Sequence, residues 1–338
     1  MIADRYKNDS DPLLDLNELQ LKTKQQIEDK IKSGHYTFEE KECAVCKGED
    51  FQLLAEKDRY GLYCPVVICK DCGLVQINPR MTQQSYDEFY NTEYRNLYMG
   101  FERPKETYAA TRYEAGKRIF DLLSNHYTPL KNPEDVFVLD IGCGIGAILK
   151  YFRDQGCKAK GIDLGSEYVK YGKETYNLDL SVAKLPDLKL DRKPDIIIYS
   201  HVFEHLLNLD EELKLIKNNL SENGILYLEV PGLKNPVGFN EGYKGDFLRY
   251  HQNAHTYAFT KNTLTNLLNQ NGFRLIYGDE DVRSVFSVDE TVERKTLKND
   301  FDDTMAYLKK AESHRKWYPL TPYNLRHLPK IIRNKFSS

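Results

Sequence analysis

Long apolar runs are missing from this sequence: no stretch approaches the roughly 20 continuous apolar residues that a membrane span requires. The opening residues, MIADRYKNDSDPLL, also lack the apolar core of a signal peptide, so a cytoplasmic location is expected. Excess charge is missing too. With 48 Lys and Arg against 51 Asp and Glu, the net charge of −3 creates no whole-molecule field that would gather nucleic acid or a membrane. Any such partner would need a local patch. Internal repeats and low-complexity tracts are absent, and a single Trp stands against 24 Tyr.

What is present fits one large domain plus a small one, or two medium domains, within 338 residues. Leu13, Leu16, Leu19, Ile27 and Ile31 recur at roughly helical spacing after Asp11-Pro12, which predicts an opening helix that ends near Gly34. From Cys43 to Arg80 short β-like runs (LYCPVVI, GLVQI) alternate with Cys, Gly and Pro turns. Residues 82–131 read as tyrosine-rich helices. Beyond Pro133 the pattern alternates: strand 136–141, helix 146–155, strand 158–163, helix 167–176, a short strand near 181–183, strand 195–200, helix 210–220 and strand 225–230. A helix at 261–271 and two further strands follow, near 273–278 and 282–288. Such alternation predicts an α/β fold with a mostly parallel sheet covered on both faces.

The stretch VFVLDIGCGIGAILKYF, residues 136–152, runs from a β-branched strand through three glycines into an amphipathic helix. A glycine turn at that junction lets the backbone approach a ligand closely and aims free N–H groups at it. Asp163 ends the next strand about twenty residues on, where a carboxylate accepts hydrogen bonds from ribose hydroxyls. An adenosine moiety is indicated. Asp140, just ahead of Gly142, is a poor neighbour for a dinucleotide pyrophosphate but suits the ammonium of a methionine moiety. The charge therefore points to S-adenosylmethionine.

VLDIGCGIG resembles the first motif of class I S-adenosylmethionine-dependent methyltransferases and GIDLG the second. DIIIYSHVFEHLLN and NNLSENGILYLEVPG are similar to that family's fourth and fifth strands, and the likeness covers roughly residues 115–288. It implies a Rossmann-like, seven-stranded class I methyltransferase sheet with helical flanks. It also implies that Gly142, Cys143, Gly144 and Gly146 line the methionine end, that Asp140 fixes the loop and the amino group, and that Asp163, with Leu164 beside it, holds the ribose. Lys184 and Leu185, after Ala183, would border the adenine, where an acid common in the family is missing. Ser200 and His201 should face the methyl donor.

Two cysteine pairs, Cys43/Cys46 and Cys69/Cys72, lie 22 residues apart, the spacing of a tetrahedral thiolate zinc site. Four thiolates close the shell, so the expected zinc is structural; a redox C-x-x-C pair is the competing chemistry, and Cys64 is a spare thiol that fits no knuckle. The segment CKDCGLVQINPRMTQQSYDEFYNTEY resembles the zinc-binding module that precedes methyltransferase domains in sugar-modifying enzymes. The organisation implied is a helix (1–34), a zinc module (35–81), a helical linker or lid (82–132), the methyltransferase domain (133–288) and a basic C-terminal extension (289–338).

Methyl transfer from a sulfonium is an in-line displacement, so the protein must position donor and acceptor and remove a proton. His255, His205 and His201 are the candidate bases, with His205 also readable as a buried framework residue. Tyr243, Arg249, Tyr250, His251 and Tyr257, in the insertion after the fifth strand, form a polar and aromatic set suited to a sugar. Compared with deoxysugar C-methyltransferases, the chain has Ala254-His255 where they tend to carry Glu-His, and about fifty residues after the last strand in place of a large domain. O-methylation of a nucleotide-linked sugar or a glycan, in surface polysaccharide synthesis, is therefore expected. A sugar C-methyltransferase, an RNA methyltransferase and a non-catalytic scaffold are the alternatives. Acid-rich residues 35–58 disfavour nucleic acid, and the intact glycine loop disfavours a scaffold. The tail from His314, with six Lys or Arg and no acid, is either a solvated extension or a contact for a membrane or polysaccharide assembly.

Overall fold

The computed structural model describes residues 1–100, 106–235, 243–292 and 297–315. Along the chain run α1 (Glu18–Lys32), β1 (Phe38–Glu39), β2 (Phe51–Lys57), β3 (Tyr63–Cys69), β4 (Val75–Ile77), β5 (Arg80–Met81), α2 (Gln83–Thr92), α3 (Tyr94–Met99) and α4 (Glu106–His126). There follow β6 (Phe137–Ile141), α5 (Ala147–Asp154), β7 (Lys158–Asp163), α6 (Ser166–Tyr176), β8 (Asp179–Val182), β9 (Ile196–Ser200), α7 (Leu209–Asn219) and β10 (Ile225–Glu229). The chain then forms α8 (Phe247–Tyr250), β11 (Tyr257–Ala258), α9 (Lys261–Gln270), β12 (Phe273–Gly278), β13 (Arg283–Val288) and α10 (Phe301–Arg315).

Seven strands form the main sheet in the order β12-β13-β10-β9-β6-β7-β8. β6 to β10 pair in parallel and β13 runs antiparallel to both neighbours. Because successive side chains point to opposite faces, each strand feeds two cores. Val138, Ile196, Ile198 and Tyr227 pack with α4 and α5 on one face. Leu139, Ile197, Tyr199 and Leu226 pack with α7 and α9 on the other. Parallel order places the carboxyl ends of β6, β7 and β9 side by side, where open α/β sheets bind ligands.

A second sheet, β11-β4-β3-β2, carries the cysteine segment. Its edge strand β11 comes from the insertion after β10, with Tyr257 opposite Gln76 and Ala258 opposite Val75. The cysteine segment and the insertion are thus one structural unit. α10 docks on it as well: Met305 and Leu308 are buried, Arg5 pairs with Asp246 and Glu312, and the Asp300 N–H donates to the Cys72 carbonyl at 3.1 Å. The part of the C-terminal extension described here is therefore a packed helix, while residues 316–338, most of the basic tail, lie outside the described residues.

The opening helix starts later than Asp11. Asn17 caps it: its side chain accepts from the Gln20 N–H, and the Gln20 side chain accepts from the Asn17 N–H. The residues ahead of it are held to the cysteine segment instead, by Lys57 on Asp9 and by the Leu13 N–H on the Arg59 carbonyl. Among the described residues no helix is long and apolar enough to cross a membrane.

Candidate active site

The glycine turn leaves β6 with φ of +69° at Gly142, +56° at Gly144 and +74° at Gly146, a region L side chains rarely enter. Gly142 is required twice over, because a Cβ there would overlap the Val202 side chain; Gly144 has nothing closer than 3.8 Å, at the Tyr108 hydroxyl. Asp163, ending β7, folds back onto this turn. Its Oδ2 accepts from the Gly144 N–H at 2.9 Å and its Oδ1 from the Gly165 N–H at 2.6 Å. A carboxylate has about four acceptor sites, so two remain for ribose hydroxyls. Arg95 stands 3.6 Å from Asp163 and lies over the Tyr168 ring at 3.8 Å.

Asp140 is 1% exposed and its Oδ2 has no hydrogen-bond partner. Burial pushes its pKa up to about 7, against the pull of Arg112. An orphaned carboxylate oxygen beneath the turn is what an incoming ammonium needs. Arg112, from α4, donates to the Ser200 hydroxyl at 3.2 Å; that hydroxyl donates to Glu229 at 3.0 Å, and Arg118 closes the network on Glu229 at 2.6 Å. Burial raises the Glu229 pKa, but His201, Arg118 and Arg112 outweigh it and hold the carboxyl below its ordinary value. Leu164 and Val182, at the ends of β7 and β8, are more than half exposed and leave an apolar edge beside Lys184 and the buried Leu185. These residues fit S-adenosylmethionine, with an acid for the amino group, an acid for the ribose and an apolar rim for the base. Cys143 departs from expectation. Its Sγ packs where a Cβ on Gly161 would be, and its thiol is raised by burial, so only its backbone lies on the turn.

Beyond β9 the chain turns sharply through His201, whose φ is +60°. Glu204 follows, 1% exposed, and neither carboxylate oxygen has a hydrogen-bond partner. Its Oε1 lies 3.8 Å from His201 Nδ1, 3.8 Å from His205 Nε2 and 3.9 Å from His255 Nε2. The three candidate histidines therefore converge on a carboxylate that sequence reading passed over. The only signal was an acid set between two of them in HVFEHL.

Each ring is held from behind. His205 Nδ1 lies 2.8 Å from both the Ala254 carbonyl and the Tyr90 hydroxyl, which itself donates to that carbonyl. The Gln252 amide nitrogen is 2.6 Å from His255 Nε2, while the Gln252 oxygen accepts from Arg59 at 2.8 Å. Burial depresses the pKa of both histidines, well below the usual value for His255, so neutral imidazoles prevail near pH 7. The tyrosines of α2 and α3 join this wall: Tyr86 donates to the Asn253 carbonyl, Tyr94 packs on His205 at 5.8 Å, and Arg59 lies 5.4 Å from the Tyr98 ring centre.

The insertion residues divide. Tyr243 is half-buried within the field of Arg59 and Glu204. Arg249 is partly exposed on α8, and its carbonyl accepts from Arg59. Three others turn away from the expected acceptor face. Tyr257, as part of β11, hydrogen-bonds through its hydroxyl to Arg80 and the Leu207 carbonyl. The Tyr250 hydroxyl donates to the Pro231 carbonyl. His251 is 4% exposed, with Nε2 3.2 Å from Cys64 Sγ and its pKa pushed down to about 3 by burial. Tyr250 and His251 close the short α8, which packs on the apolar residues of the second sheet, and Tyr257 is a strand residue of that sheet.

Cys43, Cys46, Cys69 and Cys72 bring their sulfurs within 4.8 Å of one another, with Cys43–Cys72 and Cys46–Cys69 at 3.4 Å. Backbone N–H groups of Gly48, Asp71 and Leu74 reach the sulfurs of Cys46, Cys69 and Cys72. Lys47 takes the left-handed conformation, and a Cβ on Gly48 beside it would push the Asp71 carboxylate aside. Cys64, bound to His251, stands outside the cluster.

Residues 108–277, half of the chain, match the family described as a methyltransferase domain. An uncharacterised methyltransferase of Staphylococcus carnosus is 26% identical over 155 residues, 45% of this chain and 72% of that protein. A ubiquinone biosynthesis O-methyltransferase of Pelagibacter ubique is 30% identical over 105 residues, 30% of this chain and 42% of that protein. A crystal structure of a SAM-dependent methyltransferase from Archaeoglobus fulgidus superposes with a TM-score of 0.39 at 22% identity, covering 48% of this chain and 69% of the other.

Proposed function

The chain belongs to the methyltransferase-domain family and is an S-adenosylmethionine-dependent methyltransferase; from that premise we propose that it methylates a hydroxyl oxygen of a nucleotide-linked sugar or a glycan, in surface polysaccharide synthesis. The observation that carries this reading is the wall facing the donor turn. Arg59, Tyr94, Tyr243, His205 and His255 stand around the Glu204 carboxylate, a polar and aromatic lining matched to a small polyhydroxylated acceptor. An oxygen acceptor is also what the name of the Pelagibacter relative, a ubiquinone biosynthesis O-methyltransferase, gives for that protein.

Bound S-adenosylmethionine supplies an electrophilic methyl group on a sulfonium. The chain's own residues do the rest. Asp140 and Asp163 fix the donor, and the wall orients the acceptor for in-line attack. The Glu204, His205 and His255 cluster draws off the hydroxyl proton, with the half-exposed His201 at its edge to pass that proton to solvent. The four cysteines hold a structural zinc ion in this reading: four sulfurs gathered with backbone N–H donors suit a closed thiolate shell. The basic tail would meet an anionic membrane or polysaccharide assembly. Screening nucleotide sugars and glycans with labelled donor, then locating the methyl group by NMR, tests the assignment. Methylation of a carbon, of nitrogen or of RNA alone would overturn it.

A further inference from the structure

Two arginines are buried among the described residues, and only one of them has a counter-ion. Arg80, 4% exposed, meets the Glu39 carboxylate at 3.1 Å. Arg59, 9% exposed in the turn between β2 and β3, has no carboxylate within ion-pair reach among the described residues. Its guanidinium donates to neutral oxygens instead: the Gln252 side chain at 2.8 Å, the Tyr60 hydroxyl at 3.0 Å and the Arg249 carbonyl at 3.5 Å. Its Nε has no partner. The adjacent Asp58 turns both carboxylate oxygens to the backbone, accepting from the Tyr60 and Leu62 N–H groups at Oδ1 and from the Asn253 N–H at Oδ2. Burial pushes the Tyr60 hydroxyl up to about 12 and raises Tyr243 as well, so neither is anionic near pH 7. A cation taken out of water destabilises the fold unless an anion meets it.

The unpaired charge lies in the acceptor wall. Gln252 accepts from Arg59 and turns its NH₂ to His255 Nε2 at 2.6 Å, and His255 stands 3.9 Å from Glu204. The positive and negative ends of the wall are thus set apart by one amide and one imidazole, comparable to the span of a sugar ring with its substituents. The Tyr98 ring, centred 5.4 Å away, and Tyr243 flank the guanidinium. We propose that the acceptor is an anion, a sugar carrying a phosphoryl group, with Arg59 as the counter-charge of that group while the reacting hydroxyl lies at the Glu204 cluster. The inference rests on the acceptor reading above and decides within it, selecting the nucleotide-linked sugar over an uncharged glycan. A guanidinium stays charged throughout the working pH range and offers several donors to phosphoryl oxygens. Pairing there supplies the anion that the buried cation lacks, through a side chain that takes no part in the proton transfer.

Inorganic pyrophosphate is the probe, with glucose and glucuronate as the uncharged and carboxylate controls. Each is titrated by calorimetry into the full-length, zinc-loaded protein saturated with S-adenosylhomocysteine, so that the donor site is already filled. Pyrophosphate should bind once per chain and glucose far more weakly. Arg59→Met, which keeps the bulk and removes the charge, should weaken pyrophosphate by about 10–100-fold, the scale of hydrogen bonds to a charged group. Arg59→Gln provides the same test should the first variant not fold. Wild-type protein that binds the homocysteine product but no pyrophosphate at millimolar concentration overturns the anionic acceptor. O-methylation of a glycan would then still stand, and the labelled-donor screen decides it separately. Equal pyrophosphate binding by wild type and variant also overturns the proposal, as does Arg59-dependent binding of glucuronate without pyrophosphate.

Discussion

Gly142 and Val202 touch across the donor site: the α-carbon of the first glycine has room for hydrogen only, because the Val202 methyl occupies the place of a side chain. The contact ties the donor turn after β6 to the turn after β9 that carries Glu204. Gly142→Ala should therefore weaken S-adenosylhomocysteine binding at least tenfold by calorimetry, through the overlap and through strain of about 1 kcal/mol at positive φ. Adding Val202→Ala should recover the overlap part and leave the strain. Equal loss in single and double variants would show that the contact is not what matters.

Asp163 joins the same turn from β7. Asp163→Ala removes acceptors for the Gly144 and Gly165 N–H groups and for the ribose, and should cost about 1.5–3 kcal/mol of product affinity, the scale of charge-assisted hydrogen bonds. Unchanged affinity by calorimetry would remove Asp163 from the site.

The raised pKa of Asp140 gives donor binding a pH dependence of known sign. Below about 7 the free protein holds this carboxyl protonated, while the ligand's ammonium favours the carboxylate. Binding should release a proton there, and affinity should fall toward lower pH with a slope approaching about tenfold per unit. Calorimetry in buffers of different ionisation heat reads the proton directly, and Asp140→Asn should flatten the profile.

Cys69→Ser should abolish zinc in elemental analysis and lose soluble expression. The cluster packs on Leu209 and Leu213 of α7 and is braced by Lys47 on Asp210 at 2.6 Å, so its collapse opens the main core. A stable, metal-free variant with full activity would contradict a structural role.

His255→Ala should lower turnover about 10²–10⁴-fold with donor affinity nearly unchanged, the usual effect of losing a group that ionises the acceptor. His201→Ala, beside the Glu229 network, should also weaken the donor. If His255→Ala keeps most of its activity and His205→Ala does not, the roles of the two rings are exchanged.

The strands and helices of the main sheet were legible because their signals are local. Alternating apolar faces, a glycine turn and an acid at the next strand's end lie within a few tens of residues, and the structure places the seven strands of the main sheet, β6 to β10 with β12 and β13, within two residues of the sequence reading. The pairing of two C-x-x-C knuckles was legible for the same reason. The opening helix was misplaced because Asp11-Pro12 and Asn17 are both acceptable starts by local chemistry; docking of residues 9–13 on the cysteine segment selects the second.

Composition and spacing by themselves determined the sheet, the glycine turn between β6 and α5 and the cysteine cluster. Tertiary structure alone decided the acceptor side. Arg59 meets Gln252 across 193 residues, Tyr257 leaves the expected wall to pair with β4, and His251 is buried against Cys64. Which face of an irregular insertion points inward depends on the surface it packs against, and that surface is built by distant parts of the chain. Glu204 became significant only when folding removed its water and set three histidines around it.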